Sequence, residues 1–169
     1  MAIDVFVADE QSDHRGDLDR WARLARAVLE DRGLRGDVEV SLLFVDEPAI
    51  ATLNQQFLSR EGSTDVLAFP IEDEPLPPGR SPDSGGSGPG AEPAEEPTML
   101  LGDVVICPAV ATRHAAEHEV SVDDELALLV VHGLLHLLGM DHEEADEAEV
   151  MEALERDLLA RYHRSGSSP

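Results

Sequence analysis

From Ser121 to Gly139 the chain carries its strongest constraint. After the acidic start Asp123-Asp124-Glu125, positions 126 to 131 are apolar without exception. A surface helix shows one apolar stripe, whereas a helix that is apolar on every side has to be covered on every side. The segment therefore predicts a central, buried helix. Ser121 is placed to cap its start, with the acids in the first turn, and Gly139 can take the left-handed conformation that ends it. His132 and His136 lie four residues apart near that end. Such a pair is separated by about 40° around the axis and one turn along it, so both imidazoles can reach one ion. The turn at Gly139 lets His142 swing back toward them.

A single helical histidine is more often a partly buried polar residue than a ligand. Three within eleven residues, with the turn glycine between the second and third, point to metal instead. Three protein ligands leave a position for water, the pattern of a catalytic zinc site, whereas structural zinc sites are usually closed by cysteines. Cys107 is the one cysteine, so a closed thiolate site and an internal disulfide are both excluded. The spacing His-x3-His-x2-Gly-x2-His is also that of the metzincin proteases, whose glutamate after the first histidine is the general base. Here that position is Gly133, which cannot move a proton, so a peptidase becomes the second choice.

His132 to His142 resembles the signature of the YbeY family of bacterial rRNA maturation factors. Two more segments agree with it, Leu53-Asn54 leading to Ser63-Thr64-Asp65-Val66-Leu67-Ala68-Phe69-Pro70, and Leu101-Gly102-Asp103-Val104-Val105-Ile106. The resemblance implies a zinc-dependent endoribonuclease specific for single strands, with one Zn2+ per chain held by His132, His136 and His142. It implies rRNA precursors as substrate, chiefly near the 3′ end of the small-subunit RNA, a part in ribosome quality control, and ribosomal particles or ribosome-associated proteins as partners. It also places the strand after Thr64 along the cleft, making Thr64 and Asp65 candidates for groups behind the metal ligands. At one position the chain departs from the family pattern. The arginine expected after the aromatic of Leu-Asn-x-x-aromatic is Leu58 here, and Arg60 is the nearest replacement for a phosphate contact. No residue stands out as general base. Two other readings remain: a metal-dependent hydrolase of metzincin-like spacing without the base, and a ribosome-assembly factor that zinc stabilises but that cuts nothing.

Charge pulls the other way. There are 36 acidic residues against 12 basic ones, all arginine, for a net charge of -24. Nucleic-acid binding normally rests on a basic surface, so an RNA substrate requires the arginines and the metal to share a groove. Half of the arginines, Arg15, Arg20, Arg23, Arg26, Arg32 and Arg35, lie on or beside one helix. They can form an RNA-facing patch or, as is commoner, a solvated face with acidic partners.

The 169 residues suit one domain, 1–163, with a disordered tail at 164–169. No run is apolar enough to span a bilayer, and the amino terminus lacks a basic region and a secretory apolar core, so a cytoplasmic protein with no membrane partner is expected. Residues 72–97 hold seven of the eleven prolines and five of the thirteen glycines and read as a flexible insertion.

Local patterns give the remaining elements. Ile3, Val5 and Val7 alternate as a first strand; Asp17 to Arg32 is an amphipathic helix; Val38 to Val45 is a central strand. Asp46-Glu47-Pro48 opens a short helix with Ile50, Leu53 and Phe57 inward and with Asn54 either a local polar contact or a groove residue. Thr64 to Ile71 and Met99 to Cys107 are strands. Pro70 points to a sheet edge, and Gly102 to a bulge or close approach. Pro108 to Glu119 is a helix whose His114 and His118, four apart, lack a third ligand at metal spacing and should be exposed. A last helix runs from Glu143 to about Tyr162, with Met151, Leu154, Leu158 and Tyr162 inward and its acids outward. The expected fold is α+β: a small mixed sheet of about four strands packed with helices, the metal site at the end of the central helix.

Overall fold

Within the computed structural model, which describes residues 3–12, 16–34, 37–59, 62–71, 99–140 and 144–164, strands and helices succeed one another along the chain. The order is β1 (Ile3–Glu10), α1 (Leu18–Asp31), β2 (Val38–Val45), α2 (Glu47–Leu58), β3 (Val66–Pro70), β4 (Met99–Ile106), α3 (Pro108–His118), α4 (Val122–Leu137) and α5 (Ala145–Leu158), followed by a π-helical turn at Leu159–Arg164. The insertion expected at 72–97 and the tail after Arg164 lie outside the described residues. Among the described residues no helix is long and apolar enough to cross a membrane.

The four strands lie in the order β1-β2-β4-β3. β1 and β4 flank β2 in parallel, while β3 runs antiparallel along β4 at the edge. This is the small mixed sheet that the sequence predicts, and Pro70, which has no N–H to donate, ends its edge strand. β1 continues to Glu10, beyond the alternating residues, because each of its residues finds a partner in β2 as far as Val45. β3 is shorter than Thr64 to Ile71.

Side chains alternate across a strand, and the core divides accordingly. On β2, Val38, Val40, Leu42 and Phe44 face the larger core with α1 and α4, while Val45 faces a smaller one with Ile50 of α2 and Val110 of α3. β4 does the same after a correction. Glu39 pairs with Leu100 and Val40 with Gly102, so Leu101 is an extra residue. This bulge changes the parity, and Leu101, Val104 and Ile106 all reach the larger core.

Gly102 is also a close approach. With φ at +139°, a Cβ there would lie 2.4 Å from the Phe69 carbonyl oxygen and 2.9 Å from Leu137 Cδ2. Gly133 makes the matching approach from α4, where a Cβ would stand 2.5 Å from Val104 Cγ1. Two glycines thus let the helix settle directly on β4 beside β3. Ten residues of α4 are buried, as its all-round apolarity requires. Asp17, Asp46 and Ser121 cap α1, α2 and α4 by accepting from backbone N–H groups, a contribution of about 1 kcal/mol each.

Phe57 departs from its expected place in the buried stripe of α2. It is 62% exposed and sets its ring edge-to-face on Phe69 of the edge strand, centroids 5.3 Å apart. Ile50 and Leu53 pack inward as expected, and Asn54 is buried beside them.

Candidate metal centre

At the carboxyl end of α4 the two histidines do what their spacing allows. His132 Nε2 and His136 Nε2 approach to 3.1 Å, with ring centroids 4.6 Å apart. On its other side, His132 Nδ1 lies 2.5 Å from Glu155 Oε2. A carboxylate accepts only, so the imidazole proton belongs on Nδ1, and the Nε2 lone pair is left pointing at His136. That is the arrangement in which a metal-ligating histidine is held by a carboxylate behind it.

Glu155 was not legible as a functional residue, since the acids of the last helix are expected outward. It is buried, its side chain 8% exposed. On α5 it sits four residues after Met151 and three before Leu158, both buried, so it stands in the middle of the inward stripe. A carboxylate in an apolar stripe was the available signal. Burial without a partner is costly, and His132 supplies the partner. Met151 is core, as its spacing suggests.

After Leu137 the helix ends as predicted. Gly139 has φ +96°, its N–H donates to the His136 carbonyl, and the Met140 N–H donates to that of Leu135. The chain is thereby turned immediately before His142. His142 itself, with Asp141 and Arg60, lies outside the described residues. Leu58, at the position of the family arginine, is exposed at the end of α2. Gly133, where a metzincin has its glutamate, has no room for any side chain against Val104.

His132 and Glu155 open on a cavity of about 370 Å³ that continues along α4 to Glu125 and reaches His118 and Asp65. Here the expectation for the second histidine pair holds for the exposure of His118 and needs correcting for the partners. His118 is exposed and His114 half-buried, but each is engaged: His114 Nδ1 lies 3.0 Å from Asp65 Oδ2, and His118 Nδ1 lies 3.0 Å from Glu125 Oε1. The hydrogen bond and the charge of Glu125 hold the His118 pKa above the ordinary histidine value. Donor atoms of Asp65, His114 and Glu125 all fall within 4.8 Å of one another, a group able to hold a metal ion. Their partners come from the start of β3 and the first turn of α4, which spacing along one helix cannot reveal. Asp65 also accepts the Cys107 N–H on its carbonyl, which fixes the mouth of β3 against β4.

One further ambiguity is resolved. Asn54 is a local contact: it is buried, and its Nδ2 donates to the Gly62 carbonyl at 3.0 Å, tying α2 to the loop before β3. Of the six arginines on or beside α1, Arg20 and Arg32 have acidic partners, whereas Arg15 and Arg35 lie outside the described residues. Arg20 bridges to Asp123, Arg113 to Glu47, and Arg161 to both Asp31 and Asp157.

The family model described as Endoribonuclease YbeY matches residues 6–163. A relative from Thermobifida fusca, named Endoribonuclease YbeY, is 42% identical over 166 residues, covering 98% of this chain and 96% of its own. One of the same name from Beutenbergia cavernae is 44% identical over 142 residues, covering 84% and 86%. A solution structure from Thermotoga maritima shares the fold with a TM-score of 0.57 at 24% identity, covering 96% of this chain and 93% of that one. The chain belongs to the endoribonuclease YbeY family.

Proposed function

We propose that this chain is a zinc-dependent endoribonuclease that cuts single-stranded rRNA precursors, particularly near the 3′ end of the small-subunit RNA, and serves ribosome quality control on ribosomal particles in the cytoplasm. Residues 1–163 act as one domain in this reading. The observation that carries it is the convergence of His132 Nε2 and His136 Nε2 at 3.1 Å, with buried Glu155 holding His132 from behind.

The donor set fits zinc. Two imidazoles meet at one point on a buried helix, and His142 follows the glycine turn as the third ligand. When bound, zinc supplies Lewis-acid chemistry and makes a nucleophile available near neutral pH. The chain's own residues set up that chemistry. Glu155 keeps the His132 proton on Nδ1, and the packing of Gly133 on Val104 fixes the helix that bears both ligands. The cavity along α4 gives a strand of RNA a place to lie beside them. Arg60 is the proposed phosphate contact.

The test is a labelled RNA spanning the small-subunit 3′ end, offered single-stranded and as a duplex. Cleavage of the single strand alone, stopped by chelator and restored by zinc, supports the proposal. Absence of cleavage with zinc restored and ribosomal particles present removes it.

A further inference from the structure

We propose that Asp65, His114 and Glu125 form a second divalent-cation site, taking Zn2+ or Mn2+, two helical turns along α4 from His132.

Three segments contribute to it: the residue before β3, the middle of α3 and the first turn of α4. Their donor atoms lie within 4.8 Å of one another. One imidazole with two carboxylates is a set for borderline to hard divalent ions rather than for soft ones such as Cu(I). An independent observation comes from Glu125, whose side chain is only 3% exposed. Among the described residues, neither Glu125 nor Asp65 is in a salt bridge with an arginine; their partners are His118 and His114. Two carboxylates lie close together there, that of Glu125 with little water to screen it, and a divalent cation balances both at once.

The site is separate from the first. Glu125 and His132 are seven residues apart on one face of α4, about 10 Å along its axis, whereas two metals acting on one phosphate sit about 3.5–4 Å apart. It also bears on the charge problem. With a net charge of -24 and Arg20, Arg113 and Arg161 already paired, the acid-lined cavity repels a phosphodiester. A cation at Glu125 and Asp65 turns that end of the cavity from repulsive to attractive.

Metal-stripped full-length protein is dialysed against Zn2+, and bound zinc per chain is counted by mass spectrometry. Wild type should hold two ions, His136→Ala one, and His114→Gln and Asp65→Asn one each, with circular dichroism confirming the folds. Loss of no ion from both His114→Gln and Asp65→Asn overturns the proposal. A single wild-type ion that His114→Gln loses and His136→Ala keeps supports this site and breaks the three-histidine reading, so the two fail separately. Should neither cavity variant fold, pulsed electron paramagnetic resonance of Mn2+ in His136→Ala decides. Imidazole nitrogen coupling that persists when His132→Ala and His142→Ala are added supports the site, and unbound aqueous Mn2+ overturns it.

Discussion

The molecule carries two histidine pairs of identical spacing, and they behave differently. On α4, His132 and His136 turn their Nε2 atoms toward each other. On α3, the rings of His114 and His118 stand 6.2 Å apart, and each Nδ1 faces a different carboxylate. Spacing of four residues puts two side chains on one face and no more. What aims them is the surroundings. The α4 pair rises from a buried helix clamped on β4, with Glu155 behind one ring; the α3 pair lies half in solvent and follows whichever acid is nearest. Convergence of the two Nε2 atoms is thus a property of the packed helix, and it can be broken by loosening what packs it.

The first such break is Glu155→Gln. A glutamine keeps the shape but offers no charge to hold the Nδ1 proton, and losing the carboxylate behind a ligating histidine typically costs about 10–100-fold in metal affinity or activity. Zinc affinity by competition with a chelating dye should fall in that range while the far-ultraviolet circular dichroism stays that of wild type. Unchanged affinity would show that the α4 pair needs no help in aiming.

Gly133→Ala acts on the clamp itself. Alanine gains about 1 kcal/mol in helix propensity, but the added methyl overlaps Val104 in a packed core, an overpacking that costs about 1–3 kcal/mol. The clash wins, so denaturant unfolding should show a loss of about 1 kcal/mol. Stability gained by this variant would mean that α4 is less tightly seated than described.

The smallest effect concerns the anchoring of α3. Arg113 makes a two-pronged contact with Glu47, at 3.1 and 2.7 Å, and Ser63 adds a third bond. These bonds hold the Glu47 pKa down at about 2, against 4.5 for a free glutamate. A depressed carboxylate pKa stabilises the fold above the unfolded value and ceases to do so as pH falls through the folded one. Melting temperature should therefore drop between pH 4.5 and 2, and by slightly less in Arg113→Ala. An identical acid profile in the variant would remove this link from the account.

Much of this was written locally in the chain. The all-round apolarity of 126–131 announced a central helix, Gly139 its end, and Gly102 the point where strand and helix meet closely. Pattern along one element is enough when the physics is that of one element. Glu155 escaped because an acid on an amphipathic helix is ordinarily assigned to water, and its burial depends on a histidine 23 residues away. Asp65 and Glu125 escaped as partners of α3 because β3, α3 and α4 meet only in the folded state.

The most direct measurement compares wild-type protein with His136→Ala, prepared identically, in cutting a labelled single-stranded RNA with zinc supplied. The account predicts that the wild type cuts and that the variant, folded by circular dichroism, leaves the RNA as a protein-free control does. Cleavage by His136→Ala at the wild-type rate would contradict it and take the chemistry away from the α4 pair.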